Sequence, residues 1–263
     1  MRFVSNLFWS LLAVLAIFSS CTLNNVNKDD AAAVYFKQNN LDGTFALLDN
    51  VHELFTVYNL NKYKDSSYAP GGSFGLLTTL LSIETGRYLD EKSMIPTPHD
   101  TLSLGEAFHL GDETVMEREI ARIGIDTLQT WMDSLHYGKG SPVTANTAFW
   151  KNDSLKITPD EQLGFFSKLY FEKLPFQKRT QQIVHRLMVR ENNTLYTLAY
   201  KSSWDQLPSG KYLGWIVGWI EENKHVYFFV INATPVEGTP TQGVLLKTVK
   251  AILKHYGFFE GKK

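Results

Sequence analysis

The chain has 263 residues, of which 44% are hydrophobic and 20% charged, and its formal net charge is −1. This composition is typical of a globular protein with a large core, and the balanced charge argues against a nucleic-acid-binding protein. The length fits one domain, or two lobes that share a cleft.

Residues 1–20 are typical of a secretory signal peptide, with Arg2 before an apolar run that is too short for a good transmembrane span. Phe18-Ser19-Ser20-Cys21 resembles a bacterial lipobox, and Cys21, the only cysteine, is the predicted lipidation site. The alternatives are an ordinary signal peptide or an uncleaved anchor. We expect an exported protein, lipid-anchored in the bacterial cell envelope, with residues 21–40 as a lipidated and flexible tether before a domain over 41–263.

Two β-strands are predicted first, over residues 43–49 and 53–59. A glycine-rich corner at Pro70-Gly71-Gly72 then opens a helix whose apolar spacing predicts burial on most sides, and Gly86 is its predicted left-handed end. Because a helix N-terminus offers unpaired N–H groups and a positive dipole end, this corner is a natural place for a nucleophile or an anion.

Helices are predicted through the middle of the chain. Ser103 and Glu106 form a capping box, Asp126 is the predicted N-cap of another helix, and Thr158-Pro159-Asp160-Glu161 starts a third. A further helix is predicted over residues 181–189.

Strands dominate the last third, over residues 193–200, 214–221 and 225–232, and a tight hairpin links the last two. A closing helix is predicted over 243–256. Strands at both ends of the chain with helices between them favour an α+β fold: one antiparallel sheet flanked by helices, next to an all-helical lobe.

Motifs for other chemistries are weak or absent. Gly71-Gly72-Ser73-Phe74-Gly75 matches a nucleophile elbow, but no good buried strand precedes it and no β-α-β alternation follows, which disfavours an α/β-hydrolase. No serine has a lysine three residues on, and no metal or dinucleotide fingerprint is present, so we expect no cofactor. Lys201, beside Ser202 and Ser203 at a strand end, is a candidate for binding a substrate carboxylate.

The order of segments from Gly43 onward resembles the class D β-lactamases and their penicillin-binding transpeptidase relatives. The first matching segments are Tyr68 to Gly86 for the nucleophile helix, 101–108 and 118–124 around the second motif, and Tyr137-Gly138-Lys139 for Tyr-Gly-Asn. Phe149-Trp150 with 155–162 and 168–176 match the following loop and helices, Lys201-Ser202-Ser203-Trp204 matches the Lys-Thr/Ser-Gly strand, and 214–221 matches the next strand. The resemblance implies the β-lactamase/transpeptidase fold.

The departures from this family fall on its reactive groups. Gly72 stands at the position of the nucleophilic serine, and Gly75 at that of the general-base lysine, which is carbamylated in class D enzymes. Gly111 replaces the second-motif serine, and Lys139 and Ser203 replace an asparagine and a glycine. The family's carboxylate-binding arginine is missing around residues 242–243, whereas Lys201, Ser202 and Trp150 match the family.

We therefore expect a degenerate, catalytically inactive member, because acyl-enzyme chemistry needs a nucleophile and a base. Only the backbone N–H groups of Gly72 and Trp204 remain to stabilise an oxyanion. The expected site is a relict cleft that binds a peptidoglycan peptide, a β-lactam or a cell-envelope protein. Its residues are Gly72, Gly75, Gly111, Tyr137, Trp150, Lys201, Ser202, Ser203 and Trp204.

Two alternatives remain open at this point. The first is a divergent serine β-lactamase or other acyl hydrolase that uses Ser73, with Lys201 as a second catalytic candidate. The Ser73 hydroxyl is expected to point about 100° around the helix from the ancestral position, with no adjacent base. The second is a structural lipoprotein whose cleft is filled by side chains such as Phe108, Tyr137 and Trp150.

Overall fold

A computed structural model of the chain describes residues 25–97, 100–139, 148–152, 154–238 and 241–263. The strands are β1 (Val26–Lys28), β2 (Leu41–Asp49), β3 (Leu54–Tyr58), β4 (Met94–Pro96), β5 (Thr101–Ser103), β6 (Val189–Asn192), β7 (Thr197–Gln206), β8 (Tyr212–Glu222) and β9 (His225–Pro235). The helices are α1 (Ala33–Gln38), α2 (Leu60–Lys64), α3 (Gly75–Glu84), α4 (Leu104–Leu110), α5 (Glu113–Ile123), α6 (Ile125–Leu135), α7 (Pro159–Tyr170), α8 (Lys178–Met188) and α9 (Gln242–His255).

The main sheet has the strand order β1-β3-β2-β9-β8-β7-β6. All neighbours in it are antiparallel except β1, which runs parallel to β3 and makes the sheet mixed. The predicted α+β class, with a sheet flanked by helices and a helical lobe, is confirmed. The predicted hairpin between β8 and β9 is also present, and its loop residues Asn223 and Lys224 have positive φ angles of 47° and 67°.

Two apolar cores lie on the two faces of this sheet. One joins Phe36 of α1, Ile216 of β8 and Ile252 of α9, while the other joins Trp219 of β8 to the helical lobe, including Leu80 of α3. Strands β8 and β9 are buried along nearly their whole length, because both of their faces are covered. Strand β6 pairs only with residues 197–199 of β7, so the rest of β7 forms this edge of the sheet, called the β7 edge below.

Part of the predicted tether over residues 21–40 is folded instead. From Asn25 onward the chain forms β1 and α1, and Ala32 and Phe36 are 0% and 1% exposed. Asp29 also accepts a hydrogen bond from the Tyr256 hydroxyl at 3.1 Å. The segment folds because it carries apolar side chains that complete the core under α9. The predicted signal peptide and Cys21 lie outside the described residues. Within the described residues, no helix is both long and apolar enough to cross a membrane.

The glycine corner leads into the most buried helix of the lobe, as predicted. A 3₁₀ helix, Gly71–Phe74, precedes α3, in which every side chain from Leu76 to Ile83 is buried. Both predicted capping boxes are present at the starts of α4 and α7. The predicted N-cap Asp126 is wrong: the N-cap is Gly124, two residues earlier, where a φ of 81° turns the chain, and α6 begins at Ile125.

Candidate functional site

The glycine corner packs directly against the β7 edge of the sheet. Side chains alternate along a strand, so Lys201, Ser203 and Asp205 of β7 share one face. Ser203 and Asp205 lie next to Gly71 and Gly72, and Lys201 lies next to Gly75. The backbone N–H of Gly72 donates a hydrogen bond to Oδ2 of Asp205 at 2.9 Å. The anion expected at this helix start is therefore a carboxylate of the chain itself.

Gly72 has no room for a side chain while Ser203 is present. A Cβ atom on Gly72 would lie 2.9 Å from the Cβ atom of Ser203, closer than real Cβ contacts. On Gly71, with φ of 55°, it would lie 2.2 Å from Oδ2 of Asp205. The position that the resemblance gives to the nucleophile is thus occupied by Ser203, whose family counterpart is glycine.

The side chain of Lys201 lies between Gly75 and Gly111, the two other glycines that the resemblance places at reactive positions. A Cβ atom on Gly75 would lie 3.8 Å from Nζ of Lys201, and one on Gly111 would lie 3.7 Å from it. Gly111 has φ of 68°, which disfavours other residues. Unlike Gly72, Gly75 has space for a methyl group, since its nearest neighbour would be Cε of Lys201 at 3.5 Å.

Lys201 is a buried amine with few partners. It is 2% exposed, its Nζ donates to the carbonyl oxygen of Phe108 at 2.7 Å, and the same atom lies 4.5 Å from the centroid of the Phe108 ring. Burial lowers the pKa of Lys201 to about 7, with a further lowering by Arg190 and an opposing effect of Asp205. Near neutral pH this lysine is therefore only partly charged.

Asp205 is the site residue that sequence reasoning missed. Burial raises the pKa of this carboxyl, and the hydrogen bond from the Gly72 N–H, the neighbouring Ser203 hydroxyl and the charge of Lys151 oppose the rise. The signal that points to it is strand alternation, because Lys201, Ser203 and Asp205 are two residues apart on one face of β7. The N–H of Gly72, which was expected to be available to an oxyanion, is already used by Asp205.

Two hollows adjoin this cluster of side chains. The inner cavity, of about 40 Å³, lies beside α3 between Lys201 and the buried Glu119 and has room for only a few water molecules. The outer cleft, of about 370 Å³, is lined by polar side chains including Ser203 and Asp205. Gly72, Gly111 and Met116 line both hollows, so the two are neighbours.

The predicted site residues divide between these places. Gly72, Gly111, Ser202, Ser203 and Trp204 line the outer cleft, and Gly75 and Lys201 line the inner cavity only. Tyr137 and Trp150 are 4% and 0% exposed and line neither hollow.

The indole ring of Trp150 is fully buried. Its Nε1 atom is buried and has no hydrogen-bond partner in the described part of the chain. An indole N–H in a core normally finds an acceptor. This orphaned donor agrees with glycine at position 75, where the resemblance places a modified lysine.

Ser73 is buried away from both hollows. It is 1% exposed, and its hydroxyl donates to the carbonyl oxygen of Pro70 at 2.5 Å and accepts from Nε2 of Gln162 at 2.8 Å. A nucleophile needs an adjacent base and access to the substrate. Ser73 has neither here, and its contacts are those of a structural hydroxyl.

No metal centre is evident in the described ranges, where no group of three or more His, Cys, Asp or Glu side chains is arranged to hold an ion.

Comparisons with known proteins identify the architecture. The chain matches the family model of the penicillin-binding protein transpeptidase domain over residues 20–254. It is 31% identical over 225 residues to the probable β-lactamase YbxI of Bacillus subtilis, covering 82% of this chain and 81% of that protein. It is 28% identical over 231 residues to the β-lactamase OXA-2 of Salmonella typhimurium, covering 83% and 81%. The crystal structure of a class D β-lactamase from Bacillus subtilis matches with a TM-score of 0.78 and 28% identity, over 87% and 96% of the two chains.

Proposed function

Because this chain belongs to the family of penicillin-binding transpeptidase domains and class D β-lactamases, we propose that it is a non-catalytic member that binds a ligand in the outer cleft. The observation that carries the proposal is the hydrogen bond from Gly72 to Asp205, at a residue that has no hydroxyl of its own.

Three requirements of acyl transfer are unmet at this corner. Gly72 supplies no nucleophile, and Gly75 supplies no base. The donor expected for an oxyanion is bonded to an internal carboxylate, and the loss of one such donor typically costs a factor of about 100 to 1,000 in rate. Ser73 cannot substitute for Gly72, because it is buried against Gln162.

The cleft itself supports a binding role. Its volume of about 370 Å³ falls within the range of small-ligand sites. None of the three side chains named in the alternative of a filled cleft lines it: Phe108 lines the inner cavity, and Tyr137 and Trp150 lie elsewhere in the core. A peptidoglycan peptide, a β-lactam or a segment of a cell-envelope protein is the proposed ligand.

We expect no covalent adduct when the wild-type chain is incubated with a fluorescent penicillin, and no hydrolysis of a chromogenic cephalosporin above the buffer rate. Intact-mass spectrometry and absorbance measure the two results. Ser73→Ala is the matched variant, and it is expected to behave as the wild type does. A penicillin adduct on any side chain, or turnover that disappears in Ser73→Ala, would refute the proposal.

Export and lipid anchoring through Cys21 are part of the same proposal. Metabolic labelling with a palmitate analogue is expected to mark the wild-type chain in the envelope fraction, because a lipobox cysteine is acylated after export. Cys21→Ala is expected to lose the label, while Ser20→Ala is expected to keep it. Equal labelling of the wild type and Cys21→Ala would contradict the anchor.

A further inference from the structure

We infer that the outer cleft recognises a short peptide through a free amino group, whose ammonium pairs with the carboxylate of Asp205. This inference rests on the proposed binding function and adds the chemical class of the ligand. It starts from the charges that line the cleft.

Among the described residues that line the outer cleft, the carboxylate of Asp205 forms no ion pair, whereas that of Glu113 does. The Asp, Glu, Lys and Arg residues that line the cleft are Glu113, Lys151 and Asp205. Nζ of Lys151 forms an ion pair with Glu113. Asp205 accepts a hydrogen bond from the Gly72 N–H at 2.9 Å, a neutral donor, which leaves acceptor capacity on its two oxygens.

Lys201, another cation near Asp205, does not line the outer cleft. Lys201 lies in the inner cavity, where it is 2% exposed and bonded to the Phe108 carbonyl oxygen. A ligand carboxylate in the outer cleft would meet Asp205 as a like charge, with the Lys151 ammonium already paired. A ligand ammonium would instead find an opposite charge in a partly desolvated site, where charge-assisted hydrogen bonds are strong.

The aromatic rim of the cleft favours the same group. Trp204 and Tyr212 line it as a stacked pair, with ring centroids 6.3 Å apart and planes 16° apart. Aromatic faces attract ammonium groups. Leu110, which is 68% exposed, adds an apolar contact for the carbon atoms beside the amine. Acid, aromatic and apolar groups thus converge on one hollow.

The test uses three dipeptides that differ only in their end groups. They are Ala-Ala amide, which is cationic, N-acetyl-Ala-Ala, which is anionic, and N-acetyl-Ala-Ala amide, which is neutral. An NMR titration of the full isotope-labelled chain measures each Kd and shows which residues respond. The cationic dipeptide is expected to bind at least tenfold more tightly than the neutral one and to shift the Gly72 and Asp205 amide signals, with the anionic dipeptide weakest.

Variants assign the preference to Asp205. Asp205→Asn is expected to remove the tenfold preference, whereas Glu117→Gln, an exposed acid on α5 outside the cleft, is expected to keep it. Lys151→Met frees Glu113 and is expected to strengthen cationic binding, which tests the inference even if Asp205→Asn misfolds. Tighter binding of the anionic dipeptide, a preference that survives Asp205→Asn, or no response to any probe overturns the inference. The penicillin-adduct experiment separately tests the loss of catalysis.

Discussion

Lys201→Met is expected to stabilise the folded chain by about 3 kcal/mol at pH 7. In the unfolded chain Lys201 keeps its proton up to about pH 10.5, whereas burial lowers its pKa in the folded chain to about 7. Each unit of difference between the two pKa values costs the folded state roughly 1.4 kcal/mol, either to release the proton or to bury the charge. Methionine fills a similar volume without this cost, and the loss of the bond to Phe108 offsets about 1 kcal/mol of the gain.

The pH dependence gives the sign of the effect. Between pH 7 and pH 10.5 the unfolded state binds more protons at Lys201 than the folded state does, so wild-type stability gains from this group as pH rises. The advantage of Lys201→Met is therefore expected to shrink by about 2 kcal/mol between pH 7 and pH 9. Below pH 7 both states hold the proton and the advantage levels off.

Urea unfolding at pH 7, 8 and 9 measures both quantities. Lys247→Met, on an exposed position of α9, is the matched control. Its free energy of unfolding is expected to differ from that of the wild type by the same amount at pH 7, 8 and 9. Parallel curves for Lys201→Met and the wild type, or a less stable variant at pH 7, would show that the Lys201 amine carries no burial penalty.

Gly72→Ser is expected to destabilise the fold by about 2 kcal/mol, and Ser203→Gly in the same chain is expected to recover most of that loss. The new Cβ atom would lie 2.9 Å from the Cβ atom of Ser203, so β7 or the 3₁₀ helix has to shift. Forced overpacking of this kind costs about 1–3 kcal/mol. Removing the Ser203 side chain removes the clash.

A double-mutant cycle by urea unfolding measures the coupling between the two positions, which is expected to exceed about 1 kcal/mol. Gly75→Ala is the control on the same helix start. Its Cβ atom would meet its nearest neighbour at 3.5 Å, an ordinary contact. Because alanine favours helix over glycine, this variant is expected to be neutral or slightly stabilising. If the effects of Gly72→Ser and Ser203→Gly on the free energy of unfolding are strictly additive, the two side chains do not compete for the same volume and the prediction is wrong.

Local chemistry explains which elements were predictable. The capping boxes at Ser103 and Thr158 and the hairpin at residues 223–224 depend on neighbouring residues, and the structure contains all three. The start of α6 and the folded segment after Asn25 were predicted wrongly. The start of α6 follows from the positive φ of Gly124, whereas the folded segment depends on packing, because Phe36 is buried against a helix more than 200 residues later in the chain.

The order of motifs was sufficient to predict the family and the fold class, because these are properties of residue type and spacing, and the same resemblance places glycines at three of the family's reactive positions. The state of the site required the tertiary structure. Gly72 and Asp205 are 133 residues apart, and their hydrogen bond exists because the corner docks on the β7 edge. That docking also places Ser203 against Gly72 and buries Lys201 between Gly75 and Gly111. Which distant side chains share one volume is decided by packing, and no local pattern records it.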